Sequence, residues 1–395
     1  MFLRFDRLIA PMLAVALSAP AALSQGGEDG DWRELESGML AKHVQITHRS
    51  DFLKAGEAYF NPSTTWVIFQ AVPVPEEGDT PDPFYSMYVA KLTKDGSGAI
   101  TGIEEPIRVS PPGSYNTCGF FHPTEPGKII FGSTLVEPTR EESSGYQRGT
   151  SRYRWSFPSQ TDVVTRYVPE IVAELNPSGL AELEAGDLVA SPIFERPGYD
   201  AECAFSPDGR FIVFASVDPE TRDADLFVHD FETGERTPVV VADGYDGGPF
   251  FSPDGQSICY RSDRVGNDLL QIFTADLDFD EQTGAITGIS EEHQHTDNRH
   301  VNWAPYFHPS GGFVAYATSQ VSHRNYEVFA LSVDPESDSE PVRVTHADGF
   351  DGLPVFNPTG EWMMWTSQRG GTVEGEDRPS SQIWVAKVKK GLNAK

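Results

Sequence analysis

The sequence predicts an all-β fold, a six-bladed β-propeller of four-stranded blades. Three observations point there: a repeated aromatic-x-Pro motif, short apolar strand-like runs at fixed offsets from it, and an abundance of turn residues. Gly 36 and Pro 30 in 395 residues interrupt the chain too often for a helical bundle and suit many short strands. With 38% hydrophobic and 11% aromatic residues the chain can bury a substantial core.

The repeat comes first because its period sets the architecture. It stands as Phe60-Asn61-Pro62, Phe121-His122-Pro123, Phe205-Ser206-Pro207, Phe251-Ser252-Pro253, Phe307-His308-Pro309 and Phe356-Asn357-Pro358. The intervals between the Phe residues are 61, 84, 46, 56 and 49, a unit of about 45 to 50 residues with insertions. That length suits a propeller blade. Ser206-Pro207-Asp208-Gly209 and Ser252-Pro253-Asp254-Gly255 have the composition of type I turns. A second strand follows each turn, as in Phe211-Ile212-Val213-Phe214 and Trp362-Met363-Met364-Trp365, apolar throughout and so expected to be covered on both faces. Third strands appear at Met87–Ala90, Leu226–His229, Gln271–Thr274, Val328–Leu331 and Ile383–Ala386.

Fourth strands are expected at Ile107–Ser110 and Val342–Thr345, but none follows Val388. Val44-Gln45-Ile46-Thr47-His48 nearly repeats Val342-Arg343-Val344-Thr345-His346, so the N-terminal strand is expected to complete the last blade and close the ring. The domain reading is a propeller over 41–390, with an insertion at 137–167 in the second blade and a flexible leader over 25–40. Residues 1–24 read as a secretory signal peptide: Arg4 and Arg7, an apolar stretch from Leu8 to Leu17, then small residues ending Ala22-Leu23-Ser24. The protein is therefore expected to be periplasmic or secreted and monomeric. The apolar stretch is shorter than the roughly 20 residues that cross a bilayer, so no membrane span is expected.

A formal charge of −29, from 30 Lys+Arg against 59 Asp+Glu, repels phosphate backbones and excludes nucleic acid as a natural partner. Cys118, Cys203 and Cys259 are an odd number, which excludes a disulfide framework. By strand alternation Cys118 and Cys203 should point to opposite sides, with no bond between them.

The segment Asp246-Gly247-Gly248-Pro249-Phe250-Phe251-Ser252-Pro253-Asp254-Gly255, followed by Arg261-Ser262-Asp263-Arg264, resembles the β-propeller repeat of the TolB-like family. The resemblance covers about Val44 to Val388 and implies architecture more than activity. TolB itself carries an α/β domain ahead of its propeller, whereas here the first blade is expected to begin about thirty residues after the signal peptide.

Five residues before each repeat Phe stand Ala55, Asn116, Asp200, Asp246, Asn302 and Asp351, at the expected entrance of each innermost strand. Glu57 and Glu202 lie two residues further along and, by the period-two rule, on the same side. Recurring Asp and Asn are either turn caps or a ring of donors at the channel mouth, where Ca²⁺, an amine or a polyhydroxyl ligand would bind. Arg222, Arg264, Arg324, Arg369 and Arg378 fall in the loops between second and third strands on that face, either as clamps for an anionic ligand or as partners of nearby Asp residues such as Asp263 or Asp268. Trp155 marks an aromatic and Arg-rich part of the insertion. His293, His295 and His300 are close in sequence, but a transition-metal site needs three ligands on one point, so a metal is left undecided.

No linear signature of a hydrolase, metalloprotease or nucleotide-binding loop occurs. The sequence reading is a non-enzymatic binding or scaffold protein for an envelope or extracellular protein or saccharide. Its site is Asn116, Asp200, Asp246, Asn302, Asp351, Arg264, Arg324, Arg369 and Trp155. The alternative is a propeller lyase or hydrolase acting on a polysaccharide.

Overall fold

A computed structural model describes residues 31–138, 145–147, 152–154, 158 and 160–393. Six antiparallel sheets, each of four strands with one added strand in the first, form a six-bladed propeller. The innermost strands are Phe52–Phe60, Asn116–Phe121, Tyr199–Phe205, Asp246–Phe251, Asn302–Phe307 and Asp351–Phe356. Each pairs with a second strand, respectively Trp66–Pro73, Lys128–Ser133, Phe211–Val217, Ser257–Ser262, Phe313–Ser322 and Trp362–Ser367. The apolar second strands are covered on both faces as their composition requires: Val67 to Phe69, Ile129 to Phe131 and Ile212 to Ala215 are all wholly buried between neighbouring blades.

The last blade runs Asp351–Phe356, Trp362–Ser367, Gln382–Val388 and then Leu40–Gln45 from the N-terminus. Val44 pairs with Val385 and Gln45 with Trp384. The Thr47 hydroxyl accepts the Ile383 N–H at 2.8 Å, just as Thr345 takes the Val328 N–H at 2.8 Å one blade earlier. The repeated Val-x-Val/Ile-Thr motif thus marks one slot on the outermost strand. The same edge starts sooner than the motif suggests, at Leu40, and the segment read as a leader contributes a short helix, Trp32–Glu36. Its Glu36 is 1% exposed, because Arg369 of the last blade takes it in a bidentate ion pair.

The turns after the repeat Phe explain the Ser, Asn and His alternation. Ser206 Oγ accepts the Phe211 N–H at 2.9 Å, Asn61 Oδ1 accepts the Trp66 N–H at 2.9 Å, and His308 Nδ1 accepts the Ser310 N–H at 3.2 Å. All three are side-chain acceptors in one turn position. His122 and His308 therefore serve the hairpin.

Every innermost strand carries a bulge. Three residues before each repeat Phe the backbone is left-handed: Glu57, Cys118, Glu202, Gly248, Ala304 and Leu353 have φ of 46, 53, 55, 57, 53 and 56°. The register shifts at that point in all six strands. The bulge cancels simple alternation. Asp200 turns into its blade while Glu202 faces the channel, and Cys118 and Cys203 both line the channel rather than opposite sides. All three cysteines are free thiols, and the Cys203 thiol contacts the Cys118 carbonyl at 3.7 Å.

Candidate functional site

The channel is blocked below the bulges. The residues just before the repeat Phe, including Tyr59, Phe120, Phe250 and Tyr306, pack their rings with centroids 4.9 to 6.3 Å apart. Above this aromatic plug lies a cavity of about 840 Å³. Its middle layer is the left-handed ring. Its upper wall is Tyr115, Tyr199, Tyr245 and Phe350, each one residue before the Asp or Asn of its blade, with Trp303 and Tyr326 from the fifth blade. The loops between second and third strands supply His323, Arg324, Gln368 and Arg378. A pocket closed at one end and walled by rings suits an organic ligand rather than a bare ion.

Two acids face the cavity. Glu202 is fully engaged: Tyr245 O–H donates to both its oxygens at 2.8 Å, the Gly248 N–H donates at 2.6 Å, and Arg261 Nη2 lies at 3.0 Å. This network joins the third blade to the fourth. A Cβ at position 248 would stand 1.9 Å from Arg261 Nη1, so a side chain there would displace the guanidinium from Glu202. Glu57 is different. The Cys118 thiol donates to it at 2.8 Å, and the Tyr59 and Thr117 hydroxyls stand at 3.5 Å. Desolvation pushes the Glu57 pKa up; the Cys118 hydrogen bond works against this and the Glu202 charge adds to it. Burial also raises the Cys118 thiol well above its ordinary value, so it is no ready nucleophile.

No protein-family model and no curated protein matches the chain. Solved structures do. A putative TolB from Agrobacterium tumefaciens superposes with a TM-score of 0.50 at 14% identity, over 88% of this chain and 98% of that one. TolB from Acinetobacter baumannii gives 0.49 at 16% identity, over 84% of this chain and 65% of that one, so the chain spans about two thirds of that relative. An oligogalacturonate lyase from Vibrio parahaemolyticus gives 0.46 at 11% identity, over 89% and 95%. TolB propellers share this fold.

The Asp and Asn residues singled out by the repeat stand first in their innermost strands, or second in the case of Asp200, and are 0 to 2% exposed. Of them Asn116 lines the cavity; Asp200, Asp246 and Asp351 are held inside their own blades, and Asn302 bonds both Thr318 of its own blade and Gln271 of the fourth. Their chemistry follows their partners. Where an Arg follows the second strand the residue is Asp: Asp246 meets Arg264 at 2.9 Å and Asp351 meets Arg369 at 2.5 Å. A Ser or Thr stands opposite the residue in all five blades, and where no Arg follows the second strand the residue is Asn and takes that hydroxyl: Ser133 donates to Asn116 at 2.8 Å and Thr318 to Asn302 at 2.8 Å. Arg264 also pairs with Glu292, at 2.7 Å, rather than with Asp263 or Asp268. Arg369 is walled by Trp32, Trp365 and Trp384, its guanidinium 4.3 to 5.9 Å from the three rings. Arg324 and Arg378 reach the cavity. Trp155 lies outside the described residues.

Asp200 is the exception in this set. Arg196 and Arg236 stand 3.7 Å away, too far to hydrogen-bond, and burial raises its pKa to about 6. Among the described residues, ligand-capable atoms of Asp276, Glu291 and His293 come within 4.8 Å of one another on the outer strands of the fourth blade. That is away from the channel mouth, the place the sequence offers for Ca²⁺ as one of several ligands. His295 instead hydrogen-bonds Thr274 at 2.7 Å.

The aromatic wall was missed in sequence reasoning, although a signal existed: the sixth residue before the repeat Phe is aromatic in four of six copies, Tyr115, Tyr199, Tyr245 and Phe350. Glu57 and Glu202 were noticed, but their inward aim depends on the bulge. No helix among the described residues is long and apolar enough to cross a membrane.

Proposed function

We propose that the protein is an exported, monomeric, non-enzymatic binding protein of the periplasm or extracellular space, and that its central cavity holds part of an envelope or extracellular ligand. The observation that carries this reading is the cavity itself: about 840 Å³, closed below by Tyr59, Phe120, Phe250 and Tyr306 and walled by Tyr115, Tyr199, Tyr245, Trp303 and Phe350. Such rings offer large flat contact areas at low entropy cost, with hydroxyls for orientation. In this reading Arg324 touches the ligand, while Asn116, wholly buried and bonded to Ser114, Ser133 and the Tyr85 carbonyl, supports the wall behind Tyr115. Asp200, Asp246, Asn302 and Asp351, with Arg264 and Arg369, hold the strand entrances that shape the mouth.

A catalytic reading, a lyase or hydrolase on a polysaccharide, is favoured by the raised pKa of Glu57 in a cavity, the condition of a general acid. Both readings meet in one experiment. The protein purified gently from its native envelope should retain a ligand detectable by native mass spectrometry, and Ala304→Trp, which fills the cavity, should lose it while keeping its circular dichroism. A ligand retained equally by both proteins rejects the cavity as the site. A retained ligand that shortens or gains unsaturation on incubation rejects the non-enzymatic reading.

A further inference from the structure

Of the two acids in the cavity, one is held in an ion pair, and the other, though the Arg261 charge reaches it, is in none of the described ion pairs. Glu202 has the Arg261 guanidinium at 3.0 Å, a phenol and a backbone N–H. Glu57 has a thiol and two hydroxyls, and none of the described ion pairs includes it. Its own N–H is taken by the Thr366 hydroxyl at 3.0 Å, which fixes the bulge that aims it into the cavity. The groups around it are Cys118 and Tyr115 from the second blade, Tyr59 and Tyr85 from its own, and Glu202 and Arg261 from the third and fourth. Tyr59, Tyr85 and Tyr115 all line the cavity, and the Glu57 charge reaches each phenol, raising its pKa beyond the effect of burial. Tyr85 already carries the Lys54 ammonium 4.3 Å from its ring.

One carboxylate among three tyrosines is a poor metal site, since a hard cation takes six to eight oxygens, several of them from carboxylates. It is a good ammonium site: ring faces attract a cation through their quadrupoles, and a single carboxylate supplies the counter-charge. The cavity is also far larger than an ammonium ion, so the charged group belongs to a larger molecule whose remainder reaches Trp303 and Arg324 of the fifth blade and Gln368 of the sixth.

We infer that the ligand of this cavity carries an organic ammonium group, bound by Glu57 within the walls of Tyr59, Tyr85 and Tyr115. The inference rests on the cavity-binding reading above. An ammonium brought to Glu57 stabilises its ionised form, so binding near or below its folded pKa expels a proton. Two sources of this chemistry are distinguishable: a free polyamine and an amino saccharide.

The test is titration calorimetry on the full chain with spermidine, with a glucosamine tetramer and with cellotetraose, which replaces every amine by a hydroxyl. At least one amine probe should bind tenfold or more tightly than cellotetraose, and Glu57→Gln should remove that preference. Wild-type titrations at pH 5 in buffers of different ionisation enthalpy should report proton release, a reading that needs no variant. Binding of spermidine alone assigns a polyamine; binding of the tetramer alone assigns an amino saccharide. Failure of both amine probes, equal binding of cellotetraose, or unchanged amine binding in Glu57→Gln overturns the ammonium assignment. The cavity reading is judged separately, by whether Ala304→Trp abolishes retention of the native ligand.

Discussion

Glu36 and Arg369 stand 333 residues apart in the chain, yet they form a bidentate ion pair, Nη1 to Oε2 at 3.0 Å and Nη2 to Oε1 at 3.0 Å, with both side chains fully buried. Arg369 also reaches Asp351, and Glu36 takes the His346 N–H at 2.8 Å and pairs with the His43 ring at 2.7 Å. Desolvation pushes the Glu36 pKa up, but these partners outweigh it and hold it below the ordinary value. The helix Trp32–Glu36 is thereby locked to the last blade.

Breaking this lock should be costly. Glu36→Ala leaves Arg369 with Asp351 alone in a buried site, and a loss of about 3 kcal/mol is expected from equilibrium urea unfolding. Since the folded pKa of Glu36 is depressed, its contribution is present above the unfolded value and fades as pH falls through the folded one. Wild type and Glu36→Ala should therefore converge in stability as the pH falls below that depressed folded value; a gap that stays constant as the pH is lowered would refute the assignment.

Removing residues 40–48 takes away the outermost strand of the last blade and bares the edge of Gln382–Val388. An exposed edge strand is a template for association. The truncated chain should elute as aggregates and lose its single cooperative melting transition. A monomer with unchanged melting would show that the N-terminal strand does not close the ring.

Two substitutions in the left-handed ring should behave oppositely. Gly248→Ala puts a methyl where Arg261 Nη1 lies and frees Arg261 from Glu202, so a loss of about 3 kcal/mol is expected. Ala304→Gly relieves a left-handed alanine at φ 53°, a gain of roughly 1 kcal/mol that greater freedom of the unfolded chain largely cancels. Chemical denaturation of the pair checks the contrast; equal losses would mean that the ring geometry is not what limits these positions.

Asp200 should lower stability at neutral pH. Its folded pKa of about 6 lies above its ordinary 3.8, so its favourable contribution is complete below pH 3.8 and is lost as pH rises through 6. Desolvation wins over the Ser216 hydrogen bond and the Arg196 charge. Asn already fills the equivalent place in two blades, so Asp200→Asn should fold normally and gain on the order of 2 kcal/mol at pH 7.5, with no gain at pH 3.5. Thermal melts at the two pH values decide it, and a destabilised variant at pH 7.5 would show that the arginines need the charge.

The six blades and their order were legible because repetition multiplies a weak local signal. One Phe-x-Pro says little, but six copies spaced by one blade length, each followed by an apolar quartet, leave few alternatives. The closing strand was legible for the same reason, since Val44 to Thr47 copies Val342 to Thr345 down to the hydroxyl that caps the neighbouring strand. The register was not. A residue of extra length in each innermost strand puts Glu57, Cys118 and Glu202 at positive φ and turns them inward, while Asp200, Asp246 and Asp351 turn back into their blades. A period-two rule assumes an unbroken pleat and fails one residue past a bulge. Partners were hidden for a different reason. That Arg369 closes on Glu36, or Arg261 on Glu202, depends on which blades abut, and no local pattern records a contact between residues 333 or 59 apart. Composition and repetition therefore settle what is local or periodic, the strands, the turns and the propeller. The side chains that face the cavity, and the acid left without a base there, were decided only when the ring closed and brought six distant strands to one axis.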